Sequence, residues 1–284
     1  MNRIKTLLTL TALAVALGVV FSGCESDDDD DEATGTLAVL LTDGPFPADL
    51  VAEANVTIDS LDIREKNTQD TTGAYTTISR EQATYNLMDL RNGVTESLAN
   101  LEVEEGTYNQ VRLYVSEAEV ILKDGSEYPL QVPSGVRTGL KIFISPDIEV
   151  QQDITAELLL DIDVGKSFVV QGNPYGPGSI DFLFKPVIRA VNQSTAGRLT
   201  GIVADTSAAA DPIGDAQVWV MQDSLISHTF TDTLDGAYQL IGLTAGSYTA
   251  SATAAGYDTV TVAEVVITAA TATPLDFELT PLPQ

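Results

Sequence analysis

The sequence is poor in the residues from which most nucleic-acid-binding and catalytic sites are built. Its 284 residues include one Cys, one His and one Trp, and 14 Lys and Arg stand against 41 Asp and Glu, for a net charge of −27. Nucleic-acid binding depends on Lys and Arg displacing counterions from phosphates, so we expect no nucleic-acid partner. Surface charge also cannot attract this protein to an anionic membrane.

The scarcity of histidine and cysteine argues against enzymatic and metal chemistry. Nucleophilic catalysis needs a base beside the nucleophile, and zinc sites need several His or Cys ligands. His228, the only histidine, lies in a strand-like segment, and we interpret it as a sheet residue. We therefore expect a protein that is not an enzyme, with no catalytic residue, no metal ligand and no cofactor.

Acidic side chains leave two chemical alternatives open. The pairs Asp161 with Asp163 and Asp59 with Asp62 have the spacing of a carboxylate-pair hydrolase, although a solvated sheet face is the simpler interpretation. Clustered loop carboxylates are also the kind of ligand that calcium prefers. The candidates for calcium are Asp205, Asp211 and Asp215, or Asp232 and Asp235.

The N-terminus has the pattern of an export signal that ends at a lipidated cysteine. Arg3 and Lys5 precede an apolar run from residue 7 to 21, which is too short to span a bilayer, and Phe21-Ser-Gly leads to Cys24. This segment resembles a bacterial lipobox, which implies a signal peptide at 1–23 and covalent lipid on Cys24. The membrane is then a partner through that lipid. We expect the protein to be attached to the outer membrane, and the sequence leaves open whether it lies on the periplasmic or the surface face.

Residues 24–34 read as an acidic tether, and strands follow it. Five consecutive aspartates begin at Asp27, and like charges at this density extend a chain. From residue 35 to 192 short apolar alternations predict eight to ten strands, with a hairpin turn at Asp124-Gly125 and a bulge near Ser60. We predict one short helix at residues 94–101 and a single strand from 180 to 191, with Pro186 at an edge or bulge.

Four segments of this region carry a family resemblance. They are Gly35-Thr-Leu-Ala-Val-Leu-Leu-Thr-Asp43, Gly106-Thr-Tyr-Asn-Gln-Val-Arg-Leu113, Val132-Pro-Ser-Gly-Val-Arg-Thr-Gly-Leu-Lys141 and Phe184-Lys-Pro-Val-Ile-Arg-Ala-Val191. Residues 35–192 resemble the bacterial lipoprotein domain called domain of unknown function 4382. The resemblance implies an extracytoplasmic β-sandwich without an assigned activity.

The composition changes after a short linker at 193–197. Residues 198–281 are rich in Thr and Ala, and they resemble a carboxypeptidase regulatory-like domain, which implies a transthyretin-like sandwich. Asp235-Gly236 predicts a hairpin turn, and Gly246 and Gly256 are placed where positive φ angles suit a turn. The fold class that we predict is therefore all-β, with two consecutive antiparallel β-sandwiches after the signal peptide and tether. With so short a linker, we expect them to touch or nearly touch.

Two tyrosines follow the same local plan. Val103-x-x-Gly106-Thr107-Tyr108 and Leu243-x-x-Gly246-Ser247-Tyr248 each place a tyrosine shortly after an apolar residue and a turn. We predict that both are tyrosine corners, in which the hydroxyl bonds an upstream backbone carbonyl.

The function predicted from the sequence is a non-catalytic binding or adhesion role in the bacterial envelope. An envelope protein or a polysaccharide is the expected partner, and a carbohydrate-binding accessory of polysaccharide uptake is the main alternative. Flat aromatic side chains bind sugars, so Trp219 and Tyr175 are the candidate ligand contacts. Trp219 faces opposite to Val218 and Val220, and the alternation does not tell which face is buried.

Overall fold

A computed structural model describes residues 33–44, 50–66, 75–132, 138–172, 180–207 and 210–283. The predicted signal peptide, nearly all of the tether and Cys24 lie outside these residues. Within them, no helix is long and apolar enough to cross a membrane.

The first part of the chain is built almost entirely from strands. A 3₁₀ turn (Leu87–Asp89) and one helical turn, α1 (Val164–Ser167), interrupt them. The strands are β1 (Thr34–Gly44), β2 (Val51–Glu65), β3 (Thr76–Ser79), β4 (Ala83–Asn86), β5 (Glu96–Glu104), β6 (Gly106–Leu122), β7 (Glu127–Leu130), β8 (Leu140–Val150), β9 (Thr155–Asp163), β10 (Phe168–Gln171), β11 (Asp181–Phe184) and β12 (Ile188–Asn192).

Ten of these strands form one continuous sheet around one core. The hydrogen-bonded order is β3-β2-β6-β8-β12-β9-β1-β5, with β4 also on β2 and β7 on β6. The sheet coils until its end strands β3 and β5 approach each other. Strand alternation explains the core, because Val111, Leu113 and Val115 of β6 all point inward and are buried. The residues between them therefore face outward.

The second part of the chain is a sandwich of two four-stranded sheets. Its strands are β13 (Gly197–Asp205), β14 (Gln217–Met221), β15 (Leu225–Phe230), β16 (Ala237–Leu243), β17 (Gly246–Thr253), β18 (Val260–Ile267), β19 (Ala272–Pro274) and β20 (Phe277–Leu279). One sheet joins β16, β13, β19 and β20, and the other has the order β15-β14-β17-β18. Tyr248, Phe277 and Leu199 lie at the centre of its core.

The predicted all-β class is confirmed, but the pairing is not purely antiparallel: the first sandwich is one coiled sheet with β1 parallel to β9 and β8 to β12, and β13 is parallel to β19 and β20. Several turns lie where the sequence places them. Gly125, Gly236 and Gly256 have φ angles of +84°, +67° and +83°. The register of β2 against β6 shifts on both sides of Ile58, next to the predicted bulge at Ser60. The prediction for Gly246 is wrong, because this residue begins β17 and its φ is not positive.

The predicted helix at 94–101 is also wrong. Most of this segment belongs to β5, which pairs with β1 from Glu104 to Glu96. Val94 and Leu101, two residues of the apparent helical stripe, are 50% and 44% exposed. Pairing with β1 satisfies the backbone of the segment and outweighs a weak local spacing. The strand predicted from 180 to 191 is interrupted, and Pro186 lies in the break between β11 and β12.

Candidate functional site

The Asp161–Asp163 pair is held in structural bonds. The carboxylate of Asp161 accepts a hydrogen bond from Arg189 Nη2 at 2.6 Å and is almost fully buried. Asp163 caps α1, accepting from the Lys166 backbone N–H at 2.9 Å and from Lys166 Nζ at 2.7 Å. Each carboxylate therefore has a role in the fold.

The carboxylates of the second pair also accept hydrogen bonds from neighbouring side chains of the fold. Asp59 accepts hydrogen bonds from Gln82 Nε2 at 2.6 Å and from Ser116 Oγ at 2.7 Å. Asp62 is buried and accepts one from the Tyr114 hydroxyl at 3.0 Å. These contacts tie β2 to the outer face of β6.

Three of the aspartates considered for calcium cap turns instead of converging on a centre. Asp205 Oδ1 accepts from the backbone N–H groups of Ser207 and Asp211 at 3.0 and 3.1 Å. Asp232 and Asp235 each accept from the N–H group two residues ahead, at 2.8 and 3.0 Å. Among the described residues, no three His, Cys, Asp or Glu side chains form a group suited to a metal ion.

Trp219 points away from the core of the second sandwich. Its neighbours Val218 and Val220 are fully buried, whereas Trp219 is half-buried on the outer face of β14. It lies opposite His228 of β15 and Ser251 of β17. His228 is a sheet residue, as expected. Tyr175, the other candidate contact, lies outside the described residues.

Both predicted tyrosine corners are present. The Tyr108 hydroxyl donates to the Glu104 carbonyl at 2.9 Å, and the Tyr248 hydroxyl donates to the Thr244 carbonyl at 2.7 Å. In each case the acceptor lies four residues upstream. Burial, reinforced by Glu104 and Glu65, raises the pKa of Tyr108 to about 12, which keeps its hydroxyl a donor.

Asn92 joins the two sandwiches by imitating a strand backbone. Its Oδ1 accepts from the Gln239 N–H at 2.6 Å, and its Nδ2 donates to the Ala237 carbonyl at 3.3 Å. These are neighbouring groups on the edge strand β16, so the side-chain amide completes the pairing that the edge lacks. The Asn92 N–H also donates to Thr229 Oγ1 at 3.1 Å.

Arg189 forms a second link between the sandwiches. Its guanidinium donates to Asp161 from Nη2 and to the Gly242 carbonyl of β16 from Nη1, both at 2.6 Å. Gly242 has a φ of +66°, and a Cβ there would lie 2.8 Å from Leu159 Cδ2. Leu159 and Val191 face away from the first core, yet both are buried. Contact with the second sandwich at Gly242 explains the burial of Leu159.

Asp43 lies in the same junction, and a hydrogen bond offsets only part of the cost of burying its carboxyl group. It lines a cavity of about 10 Å³ with Thr42, Asp161, His228 and other residues of both sandwiches. Oδ1 accepts from the Val164 N–H at 3.2 Å, but Oδ2 has no hydrogen-bond partner among the described residues. Burial, followed by repulsion from Asp161, raises the pKa of Asp43 well above its usual value.

A different surface covers the outer face of β2, β6 and β8. Two cross-strand rows lie side by side there: Arg64–Gln110–Phe143 and Asp62–Arg112–Lys141. Tyr75 lies above them, its ring 3.7 Å from the Arg112 guanidinium carbon and its hydroxyl bonded to Gln110 Oε1. We call this surface the β6 platform, and its members are Arg64, Tyr75, Gln110, Arg112, Lys141 and Phe143.

The short linker predicts that the two sandwiches touch or nearly touch, but the sequence indicates neither the residues of this junction nor the β6 platform. Alternation already placed Gln110, Arg112 and Tyr114 on one face of a strand, between three inward residues. The pattern does not show which strand pairs with β6. Phe143 joins the platform through the register of β8 against β6, and Tyr75 joins it through the course of the segment before β3. Asn92 carries no comparable signal, since its role exists only where the two sandwiches meet.

Comparisons with solved structures give similarities at low identity. The TIE protein of Bacillus anthracis is 15% identical over 88% of this chain and 34% of its own, with a TM-score of 0.26. The minor pilin GBS52 of Streptococcus agalactiae is 11% identical (87% and 97% covered, TM-score 0.26). The shaft pilin SpaA of Lactobacillus rhamnosus GG is 10% identical (88% and 99% covered, TM-score 0.28). The chain thus spans about a third of the TIE protein.

Comparison with family models gives a direct assignment, whereas a search of curated proteins found no match. A model described as a carboxypeptidase regulatory-like domain matches residues 198–280. A model described as a domain of unknown function, DUF4382, matches residues 34–186, which is more than half of the chain. The protein therefore belongs to the DUF4382 family and carries a carboxypeptidase regulatory-like domain after the family domain.

Proposed function

We propose that this protein is a non-catalytic binding protein of the bacterial envelope, held on the outer membrane by lipid on Cys24. The observation that carries the binding role is the β6 platform. It presents the Phe143 ring in water near Arg112, a cation that stacks on the Tyr75 ring, which suits recognition at a surface. The two carboxylate pairs, in contrast, are engaged in the bonds that hold β2, β6, α1 and β12.

The order of segments along the chain supports the anchor. A segment with the pattern of a signal sequence, the only cysteine and a run of acidic residues come before β1. A lone cysteine has no partner for an internal disulfide. Two or three acyl chains, at about 0.8 kcal/mol for each buried CH₂, give stable attachment to a membrane.

Trp219 supports a second, narrower candidate, an accessory of polysaccharide uptake. Its ring lies on the outer face of the second sandwich, beside the polar residues His228 and Ser251. An aromatic ring flanked by hydrogen-bonding groups is suited to the apolar face of a sugar.

The anchor is tested by Cys24→Ser in cells that express the full chain. We expect the wild-type protein to sediment with the outer membrane and to enter the detergent phase on phase separation. The variant should move to the soluble fraction because it carries no acyl chain. Ser26→Ala, two residues away, is the control and should fractionate like the wild type. Membrane association that Cys24→Ser leaves unchanged would contradict the anchor.

A further inference from the structure

We propose that the β6 platform is a binding site for an acidic polysaccharide, a chain bearing uronic-acid carboxylates. This inference rests on the binding role proposed above and names its ligand class. A sugar ring stacks on Phe143, and its carboxylate pairs with Lys141 and Arg112. We expect the site to bind the polymer without cleaving it.

Phe143 gives the platform an exposed aromatic ring. The side chain is 72% exposed, whereas every other aromatic side chain among the described residues is buried or half-buried. Leaving a Phe ring in water forgoes about 2 kcal/mol of burial free energy. A single exposed apolar side chain is ordinary on a protein surface, so the inference rests on this one being a flat aromatic ring beside charged groups. Here the exposed Lys141 is the polar neighbour on the same strand, whereas Gln110 is buried and bonded to the Tyr75 hydroxyl.

The platform also carries a local excess of cations. Arg64, Arg112 and Lys141 share one sheet face in a protein of net charge −27, beside Asp62, whose buried carboxylate accepts from the Tyr114 hydroxyl. The ion pairs among the described residues are Lys66–Asp147, Lys166–Asp163 and Arg189–Asp161, so none of these three cations takes part in one. Screening over about 8–10 Å at physiological salt limits repulsion from distant carboxylates. A carboxylate ligand therefore meets three cations against the one carboxylate, Asp62, that lies in the same two rows.

The platform is held in place before a ligand arrives. Tyr75 stacks on the Arg112 guanidinium and bonds Gln110, while the strands fix the spacing of the two rows. Gly139, with a φ of +65°, allows Arg112 to pass close to the backbone, since a Cβ there would lie 2.4 Å from Arg112 Cγ. A planar guanidinium held in one orientation pairs well with a carboxylate.

The same observations favour a glycan over an acidic protein. Protein interfaces are dominated by clustered, fully desolvated apolar anchors. The platform offers one exposed ring on the outer face of the coiled sheet, with Lys141, Arg112 and Arg64 beside it. Each unit of an acidic polysaccharide has an apolar ring face and a carboxylate. One such unit matches the exposed ring and the cations beside it.

Calorimetric titration of the full chain, in neutral detergent with EDTA, tests the proposal. The ligands are polygalacturonate and the same polymer after its carboxyl groups have been reduced. We expect the acidic polymer to bind, and the reduced polymer, Phe143→Ala and Lys141→Glu each to weaken binding at least about tenfold. Binding of the acidic polymer should also weaken as salt rises. Leu234→Ala (87% exposed in the wild type) and Lys185→Glu, an exposed lysine outside the platform, are the matched controls and should bind normally.

Three results would overturn the proposal. Equal binding of the reduced polymer would mean that the site recognises neutral sugars. Unchanged binding by Phe143→Ala and Lys141→Glu would place any polymer site elsewhere. Binding of poly-glutamate with no binding of polygalacturonate would identify an acidic polypeptide as the partner. None of these results affects the fractionation of Cys24→Ser, so the failure of this inference is distinguishable from the failure of the proposed anchor.

Discussion

Asp43 carries an ionisable group in surroundings that disfavour its charged form. Its carboxyl group is buried beside Asp161 and Asp163, and one oxygen has no hydrogen-bond partner among the described residues. The Val164 N–H and Arg91 offset only part of the cost of burial, so the pKa rises. A raised pKa in the folded state means that stability from this group is present at low pH and is lost as pH rises through that pKa.

Asp43→Asn should therefore stabilise the protein at neutral and alkaline pH. The amide keeps the acceptor for Val164 and removes the buried charge, so we expect a gain of about 1–3 kcal/mol in unfolding free energy at pH 8. The gain should disappear near pH 4, where the wild-type carboxyl is protonated. Urea unfolding at both pH values measures it, with Asp235→Asn at an exposed turn as the control. A loss of stability at pH 8 would contradict the assigned cause.

The residues that could be predicted from the sequence are those whose partners lie nearby in the chain. Tyr108 and Tyr248 bond carbonyls four residues upstream, and the local plan that surrounds them was visible in the sequence. Asp43 depends on Asp161, more than a hundred residues away, and neither alternation nor spacing brings those two carboxylates together. Long-range polar contacts of this kind leave no periodic signal.

At the level of elements, the edge strands explain both an error and the junction. β5 was mistaken for a helix because its apolar residues are few and its pairing with β1 is non-local. β16 is an edge strand whose exposed backbone groups Asn92 satisfies with a side-chain amide. Strand edges need such cover, and it cannot be predicted until the neighbouring element is known.

Removing the Asn92 amide should loosen this edge. Asn92 has a φ of +60°, so Asn92→Gly keeps the backbone relaxed and deletes two hydrogen bonds, at about 1 kcal/mol each. We expect about 2 kcal/mol lower unfolding free energy and faster exchange of the Gln239 amide hydrogen. The matched control is Asp153→Gly, an exposed site with a φ of +58°, which should leave that exchange rate unchanged. Unaltered exchange in Asn92→Gly would show that β16 is protected by other contacts.

For the whole molecule, composition indicated the class of protein but not the distribution of its charge. The described residues from 33 to 283 pack as one compact unit, so Arg189, Asn92 and Gly242 fix how the two sandwiches present their outer faces. From the strongly acidic total we predict that no nucleic acid is a partner. Register then gathers three cations and an exposed ring on one face, which no sum over the sequence reveals.

The most direct test of an anchored, non-catalytic binding protein uses isolated envelopes and fluorescent polygalacturonate in EDTA. Envelopes from cells that express the wild-type chain should sediment the polymer and release it at high salt with its length unchanged. Envelopes from cells that express Cys24→Ser, or the double variant Lys141→Glu with Phe143→Ala, should retain no more polymer than envelopes without the protein. Equal retention by the double variant, or shortening of the polymer by the wild type, would contradict this account.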